Sequence, residues 1–491
     1  RCFGFILAIC LSFFFGTFLT LIKPGNIEGN PVREGFAIVT FGWIILTFFG
    51  CIPLSSYLIL TNSSNNFFYY TFLCFTDAFF EIMSGFTTTG ATIFTDIEVL
   101  PKSILFWRSM THWLGGMGIV TLALAIFPAF GITAYQMFRG EVPGPTTERL
   151  KPRLAQTAVI LWGVYSLLTL VETILLYMGG MSLFESFCHA FGTMATGGFS
   201  TRNGSVGAYD SAYLDWIIII FMFLAGMNFI LHYQIIFHKR IIVLLKDREF
   251  HFYAGVILIA ILLGVATLQI KGLNSISHIE RSYRSSELTL DDFNEKIKSE
   301  TKKISSIQST LRYVTFQVLS ITTTTGYCTA DFDLWPNSLR VMLVLLMFFG
   351  GCAGSTGGGI KMIRIMVVFK TVRREVRRMI QPRLIYPLKI AGKAIEEKQV
   401  ANILGFFLLF LLIFIFFSCM MSFILSDFTT AITSVIATLC NIGPGLSGVG
   451  ATENYAWIPI PGKWILTLCM LLGRLEVYTV VIAFSPISWK K

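Results

Sequence analysis

The chain has 491 residues, 54% of them hydrophobic and 13% charged, with a mean hydropathy of +0.69 and a formal net charge of +10. So apolar a composition excludes a soluble protein, which needs about a quarter of its residues charged. Nor does the positive charge point to nucleic acid, because it gathers at the ends of apolar runs: between Lys361 and Lys398, eleven Lys and Arg stand against three Glu.

Runs near or above the roughly 20 apolar residues of a helical membrane crossing lie at 2–22, 36–60, 104–130, 154–178, 213–237, 251–270, 335–369, 401–425 and 463–485. Shorter stretches at 69–86, 182–194, 309–322 and 427–440 are predicted as pore helices that enter and leave on one side. The chain begins at Arg1 inside an apolar run with no signal-peptide cleavage pattern, which leads to the expectation of an upstream segment. Its ten Cys lack the spacing of a disulfide framework or zinc site and read as small packing residues.

Basic residues follow run ends at Arg139, Arg149, Lys151, Arg153, Lys239, Arg240, Lys246 and Arg248, and Lys490 and Lys491 close the chain. The positive-inside rule reads these loops as cytoplasmic, and the loops 61–68 and 201–212, nearly free of Lys and Arg, as outside. Residues 273–308 are polar, carry both signs of charge and look helical from Leu290 to Ile307. They read as an extracellular insertion, either a solvated cap or a disordered loop.

Each short stretch ends in a glycine-centred pattern: TTTGAT from Thr87, MATGGFST from Met194, TTTTGYCT from Thr322 and CNIGPGLS from Cys440. Gly90, Gly198, Gly326 and Gly443 are then spaced by 108, 128 and 117 residues, as in a fourfold pseudosymmetric chain. Irregular backbone at membrane depth survives only inside protein or along a water-filled path. There, carbonyls can replace an ion's hydration shell. The alternative is a set of ordinary Gly/Thr turns between helices. Asp77 and Glu185, each thirteen residues before its glycine, read as caps near the start of a pore helix.

Six glycines in the ten residues from Gly350 to Gly359 interrupt the run 335–369. They cannot hold a stable helix, and the sequence lacks the GK[ST] ending of a phosphate loop. Two readings stay open: a flexible intramembrane loop that blocks the path, formed by Gly350, Gly351, Gly354, Gly357, Gly358 and Gly359, or a close-packing face between helices. Arg474, inside the last run, reads either as a barrier in the cation path or as the partner of a buried acid, and Glu476 lies on another helix face. Lys361 reads either as part of the gate or as a snorkelling anchor nearer the cytoplasm.

These features give an all-α polytopic membrane protein: four pseudo-repeated units of helix, pore helix, filter loop and helix around a central ion pore, plus an extra N-terminal helix. The expected division is 1–35 for that helix and a cytoplasmic loop, then pore units 36–153, 154–249, 250–400 and 401–491. The third unit contains the insertion 273–308 and the basic segment 361–398. Nothing supports an enzyme, with six His, no metal-ligand cluster, no nucleophile motif and no soluble domain large enough for a cofactor, and no organic cofactor is expected. An ion-coupled secondary active cation symporter is the alternative, although such proteins tend to show two inverted halves.

HWLGGMGI (112–119), FRGEVPGPTTERLKPRLAQTA (138–158), GGFSTRNGSVGAYDS (197–211), GGCAGSTGGGIKMIRI (350–365), NIGPGL (441–446) and GRLEVYTVV (473–481) resemble the TrkH family of the Trk/Ktr/HKT potassium transporters. The resemblance covers nearly the whole chain. The family has two helices before its first repeat where this chain has one, and the insertion 273–308 departs from it. The resemblance implies a homodimer in the lipid of a bacterial inner membrane. Each pore would pass potassium, bound on the cytoplasmic face to TrkA-type nucleotide-binding (RCK) subunits. It places K+ at Thr88, Thr89 and Gly90, at Thr196, Gly197 and Gly198, at Thr324, Thr325 and Gly326, and at Asn441, Ile442 and Gly443. Gly197 and Gly445 leave the registers of the second and fourth loops open by a residue or two. With one dependable glycine per loop, few stacked sites are expected, so potassium and rubidium should pass well and sodium detectably.

Overall fold

A computed structural model of the chain describes residues 3–21, 31–61, 67–118, 154–273, 290–381, 387–390 and 393–485. The expected helix over 119–130, the basic residues of 139–153, most of the 273–289 stretch and the terminal lysines lie outside the described residues. Among the described residues the protein has 18 α-helices. It also has one antiparallel pair of two-residue strands, Lys389–Ile390 and Lys393–Ala394, which the all-helical reading did not anticipate. Five helices are long and apolar enough to cross a membrane, or seven if each of two bent pairs counts as one span. The protein is a multi-pass membrane protein.

The N-terminal α1 (Phe3–Leu21) presents large apolar side chains to its surroundings, as a lipid-facing helix does. It meets α2 (Pro31–Thr61) where Gly4 lies against Pro53 and Ser56, too close for a side chain. Four short helices follow the pore-helix expectation: α3 (Phe67–Phe86), α6 (Leu183–Met194), α12 (Ile307–Thr322) and α16 (Phe428–Leu439). Each is packed on its own outer helix, namely α2, α5 (Leu154–Met178), α10 (Arg248–Lys271) and α15 (Glu397–Ile424). The four helices after the glycine patterns are α4 (Lys102–Gly116), α7 (Ala212–Ala225), α13 (Asn337–Met347) and α17 (Ile460–Arg474). Each packs on the pore helix of the next group: α4 on α6, α7 on α12, α13 on α16, and α17 back on α3. The contacts close into a ring.

The expected continuous crossings 213–237 and 463–485 are both broken. Between α7 and α8 (Phe229–His238) the chain bends by 103°, and between α17 and α18 (Glu476–Phe484) by 116°. At the first break Asn228 caps α8, its side chain accepting from Ile230 N at 2.9 Å. Gly226 there leaves no room for a side chain beside the Tyr253 hydroxyl. At the second break Gly473 presses on the Leu439 carbonyl and Glu476 takes a φ of 56°. A hydropathy window averages over such breaks. The run 335–369 is interrupted as expected, but its second half, α14 (Met362–Ile380), extends to residue 380.

Glu185 completes a capping box with Ser182 at the start of α6, as its position suggested. Asp77 does not cap. The apolar residues before it extend α3 back to Phe67, which leaves Asp77 mid-helix, paired with Lys463 of α17 at 2.6 Å. The insertion's helix is ordered as α11 (Leu290–Lys303) and sits on the protein: Lys296 pairs with Asp331 at 2.8 Å, and Ile297 packs near Leu334.

Candidate functional site

The four glycine patterns have one backbone conformation. Thr88, Thr196, Thr324 and Asn441 have φ of 53°, 53°, 61° and 55°, and two residues on Gly90, Gly198, Gly326 and Gly443 have φ of 82°, 82°, 82° and 97°. This fixes the equivalent positions at Gly198 and Gly443, not at Gly197 or Gly445. Threonine is β-branched and rarely left-handed. Three such residues at matching places mark strain that the surrounding structure holds, which is the mark of a functional segment. In each copy, at least three N–H groups donate back into the end of the preceding short helix: Thr89 to Ser84, Gly197 to Gly192, Thr325 to Ser320 and Ile442 to Ala437 are one equivalent set.

The loops touch in sequence. A side chain on Gly90 would strike the Gly197 carbonyl, one on Gly198 the Thr325 carbonyl, one on Gly326 the Ile442 carbonyl, and one on Gly443 the Thr89 carbonyl, at 2.2, 2.1, 1.9 and 2.7 Å. Each glycine therefore admits the carbonyl of the next loop, and the fourth admits that of the first. Glycine is required here twice over, by its φ and by this approach. All four glycines also line one cavity of about 80 Å³, together with Arg108 and Glu453.

Several threonine hydroxyls of the patterns bond one another or a neighbouring loop. Thr87 bonds Thr89 at 2.8 Å, Thr323 bonds Thr325 at 2.8 Å, and Thr89 also accepts from Asn441 Nδ2 at 2.9 Å. Sequence reasoning missed a buried polar position nine or ten residues before each of these glycines. Glu81 accepts from Ile93 N at 2.9 Å and from Thr92, and pairs with Arg108 at 2.6 Å. His189 bonds Ser200 at 3.0 Å, Gln317 faces the backbone of Thr329 and Ala330, and Thr433 accepts from Leu446 N at 3.0 Å. Each tethers the strand leaving its loop. Aligning the four patterns on glycine brings Glu81, His189 and Gln317 into one column, with Thr433 one residue away.

Directly beneath the ring lies the glycine-rich segment 350–359, a loop whose feet are joined by a bridge between Phe349 and Ile360. Gly358 N donates to Thr324 Oγ1 at 2.7 Å, and Gly358 abuts the Cys440 carbonyl. Thr356 Oγ1 donates to the Met194 carbonyl at 2.9 Å, so the loop contacts three of the four patterns. Arg474 stands at the end of α17 and donates to the carbonyls of Thr356, Gly115 and Gly116. Its carbonyl partners belong to the loop and to the end of α4. Lys361 does not snorkel: it is buried and donates to the Gly357 carbonyl. Glu476 pairs with Arg364 at 2.6 Å, in keeping with its separation from Arg474.

A second set of charges gathers on the segments after the third and fourth loops. Asp333 accepts from Ser447 N at 3.1 Å and pairs with Arg340 at 3.3 Å, joining the segments after the third and fourth loops. Burial, and then the neighbouring Asp331, push its carboxyl up to about 7 against the opposing pull of Arg340. Glu300 of α11 is likewise raised, chiefly by burial. Among the described residues no group of three His, Cys, Asp or Glu is placed to hold a metal ion.

Residues 4–491 match the profile of the family described as TrkH, cation transport protein. The Trk system potassium uptake protein TrkH of Salmonella typhimurium is 38% identical over 462 residues, covering 94% of this chain and 86% of that protein. The protein of the same description from Halomonas elongata is 36% identical over 489 residues, covering 99% and 92%. The crystal structure of the potassium transporter TrkH from Vibrio parahaemolyticus superposes with a TM-score of 0.80 at 32% identity, covering 99% of this chain and 92% of that one.

Proposed function

The chain belongs to the TrkH family of cation transport proteins, which are transporters and not enzymes, and on that premise we propose that it takes up potassium through the ring of four glycine loops. The observation that carries this reading is the cyclic contact in which each filter glycine receives the carbonyl of the next loop. A bare cation in an apolar medium costs tens of kcal/mol. A closed ring of carbonyl-bearing loops at the ends of four inward-directed short helices supplies oxygens to offset that cost.

In this reading the chain divides into an N-terminal segment 1–35 and pore units 36–153, 154–249, 250–400 and 401–491. K+ is met by residues 88–90, 196–198, 324–326 and 441–443. The relatives' names describe potassium uptake, and discrimination against sodium is modest because each loop offers one short set of oxygens. The loop 350–359 blocks the path from below, held by Lys361 and Arg474. Opening is driven from the cytoplasmic side, where the basic segment 361–398 receives a nucleotide-binding partner of the TrkA type. The working assembly is a homodimer in a bacterial inner membrane, with the ring's mouth outside.

Purified protein in liposomes tests the central claim. Rubidium entry should be competed by potassium at lower concentration than by sodium, and should vanish when two adjacent filter glycines, Gly198 and Gly326, are replaced by Ala. Entry that persists in that folded double variant would place the path elsewhere.

A further inference from the structure

Glu249 lies in the first turn of α10, outside every feature described so far. Its Oε1 accepts from the backbone N–H of Ala353 at 2.7 Å and from that of Ile363 at 3.1 Å. Ala353 is in the rising limb of the glycine loop, and Ile363 is in the first turn of α14, just past the loop's descending limb. One carboxylate oxygen thus joins the loop at Ala353 to the first turn of α14.

The surrounding donors make this grip consequential. The first N–H groups of a helix have no partner within it. Lys361, the N-cap of α14, supplies no side-chain cap and sends its ammonium to Gly357 instead. Glu249 therefore caps α14 from another helix. Asp247 separately caps α10 itself by accepting from Phe250 N at 2.8 Å, which leaves Glu249 to reach outward. Hydrogen bonds to an ionised acceptor are roughly twice as strong as neutral ones. Farther along the loop Arg474 and Lys361 bind the carbonyls of Thr356 and Gly357, while beside Ala353 the Cys352 N–H donates to the Gly226 carbonyl at 2.8 Å and the Gly354 carbonyl accepts from Phe229 N at 3.0 Å.

We propose that Glu249 is the positioning residue that couples α14 to the glycine loop, so that a displacement of α14 is passed to the loop at Ala353 and frees it from beneath the ring. This rests on the reading of the loop as the barrier. The basic side chains of Arg474 and Lys361 and the carboxyl group of Glu249 divide the work: the former hold the loop at Thr356 and Gly357, and the latter transmits the pull of the long basic helix.

Cys352, adjacent to Ala353 and 1% exposed, is a native reporter of the loop. The full chain is purified as wild type, Glu249→Ala, Glu249→Gln and a variant lacking two of the glycines 357–359. Three quantities are measured: alkylation of Cys352 by N-ethylmaleimide, quantified on its peptide by mass spectrometry; rubidium flux in liposomes; and thermal midpoint. In Glu249→Ala both alkylation and flux should rise about tenfold, the effect of losing the equivalent of one charged hydrogen bond. Glu249→Gln, which keeps an acceptor oxygen but not its charge, should rise less. Wild-type alkylation in folded Glu249→Ala, or a lowered midpoint as its only change, overturns the proposal; if that variant does not fold, unchanged alkylation in Glu249→Gln overturns it. A leak in the shortened-loop variant alone would remove Glu249 while leaving the barrier reading intact. Alkylation that rises in Glu249→Ala without flux, with no leak from the shortened loop, would instead overturn the barrier reading.

Discussion

Arg474 donates a hydrogen bond of 2.9 Å to the carbonyl of Thr356, so the last broken helix of the chain holds the loop that breaks the third. The same guanidinium reaches the carbonyls of Gly115 and Gly116 at the end of α4. A planar group with five donors suits three carbonyls from two elements in a way an ammonium would not.

Arg474→Ala is therefore expected to raise rubidium flux and to make it depend less on any cytoplasmic regulator. It removes both an anchor of the loop and a positive charge near the proposed path. The cost in stability should be about 1–3 kcal/mol, the penalty of leaving buried carbonyls unpaired. Flux and thermal midpoint on one purified sample check this; a folded variant with wild-type flux would remove Arg474 from the gate. Arg474→Lys should fall between the two, since it restores charge but not the three-way geometry.

Gly326→Ser meets two obstacles. The residue has a φ of 82°, and a Cβ there would lie 1.9 Å from the Ile442 carbonyl. The left-handed backbone alone costs a non-glycine residue roughly 1–2 kcal/mol, and the contact must push the fourth loop outward. The ratio of rubidium to sodium flux should fall, with less protein recovered. Full recovery with an unchanged ratio would show that Gly326 does not shape the filter.

Much of this arrangement was legible in the sequence because it depends on glycine. The four patterns, the interrupted third inner run and the charge of the basic segment each announce themselves in residue type. The breaks after Ala225 and Arg474 did not, since the residues around Gly226 and Leu475 are apolar enough to pass as continuous helix. Their bends come from tertiary contacts, Gly226 O with Cys352 N and Arg474 with Thr356. Asp77 was misplaced for a related reason: where α3 begins depends on its packing against α2, which no capping residue signals. The polar braces Glu81, His189, Gln317 and Thr433 were hidden by chemical diversity, as four different side chains perform one tethering task.

Arg108 and Glu81 form an ion pair whose side chains are 1% and 0% exposed. Arg108 also stacks over Phe199 of the second loop, 4.2 Å from the ring centre, so it links the first pore helix to the second pattern. Arg108→Met should destabilise the protein by about 3–5 kcal/mol, because it strands a buried carboxylate. The double variant Glu81→Gln, Arg108→Met should recover part of that loss. Thermal unfolding of the wild type and the two variants checks this, and equal melting of the single and double variants would show that the pairing is not what the single change disrupts.

Asp333, which joins the segments after the third and fourth loops, gives the protein a pH dependence whose sign can be worked out. Its carboxyl is held near 7 in the folded protein, by burial first and by Asp331 second. In the unfolded chain it titrates near 3.9. Between those values the folded state keeps a proton that the unfolded state has released, so stability declines as pH rises through this window and levels off above about 7. Arg340 pulls the other way, and Lys296 reaches the site through Asp331, so the slope should not exceed about 1.4 kcal/mol per pH unit. Asp333→Asn removes the titration while keeping an acceptor for Ser447 N. Wild type should therefore lose more thermal stability than Asp333→Asn between pH 5.5 and 8, and the variant should be the more stable at the upper end. Parallel losses would mean that Asp333 is ionised throughout. The segments after the third and fourth loops would then be joined by a permanent charge and not by a protonated carboxyl.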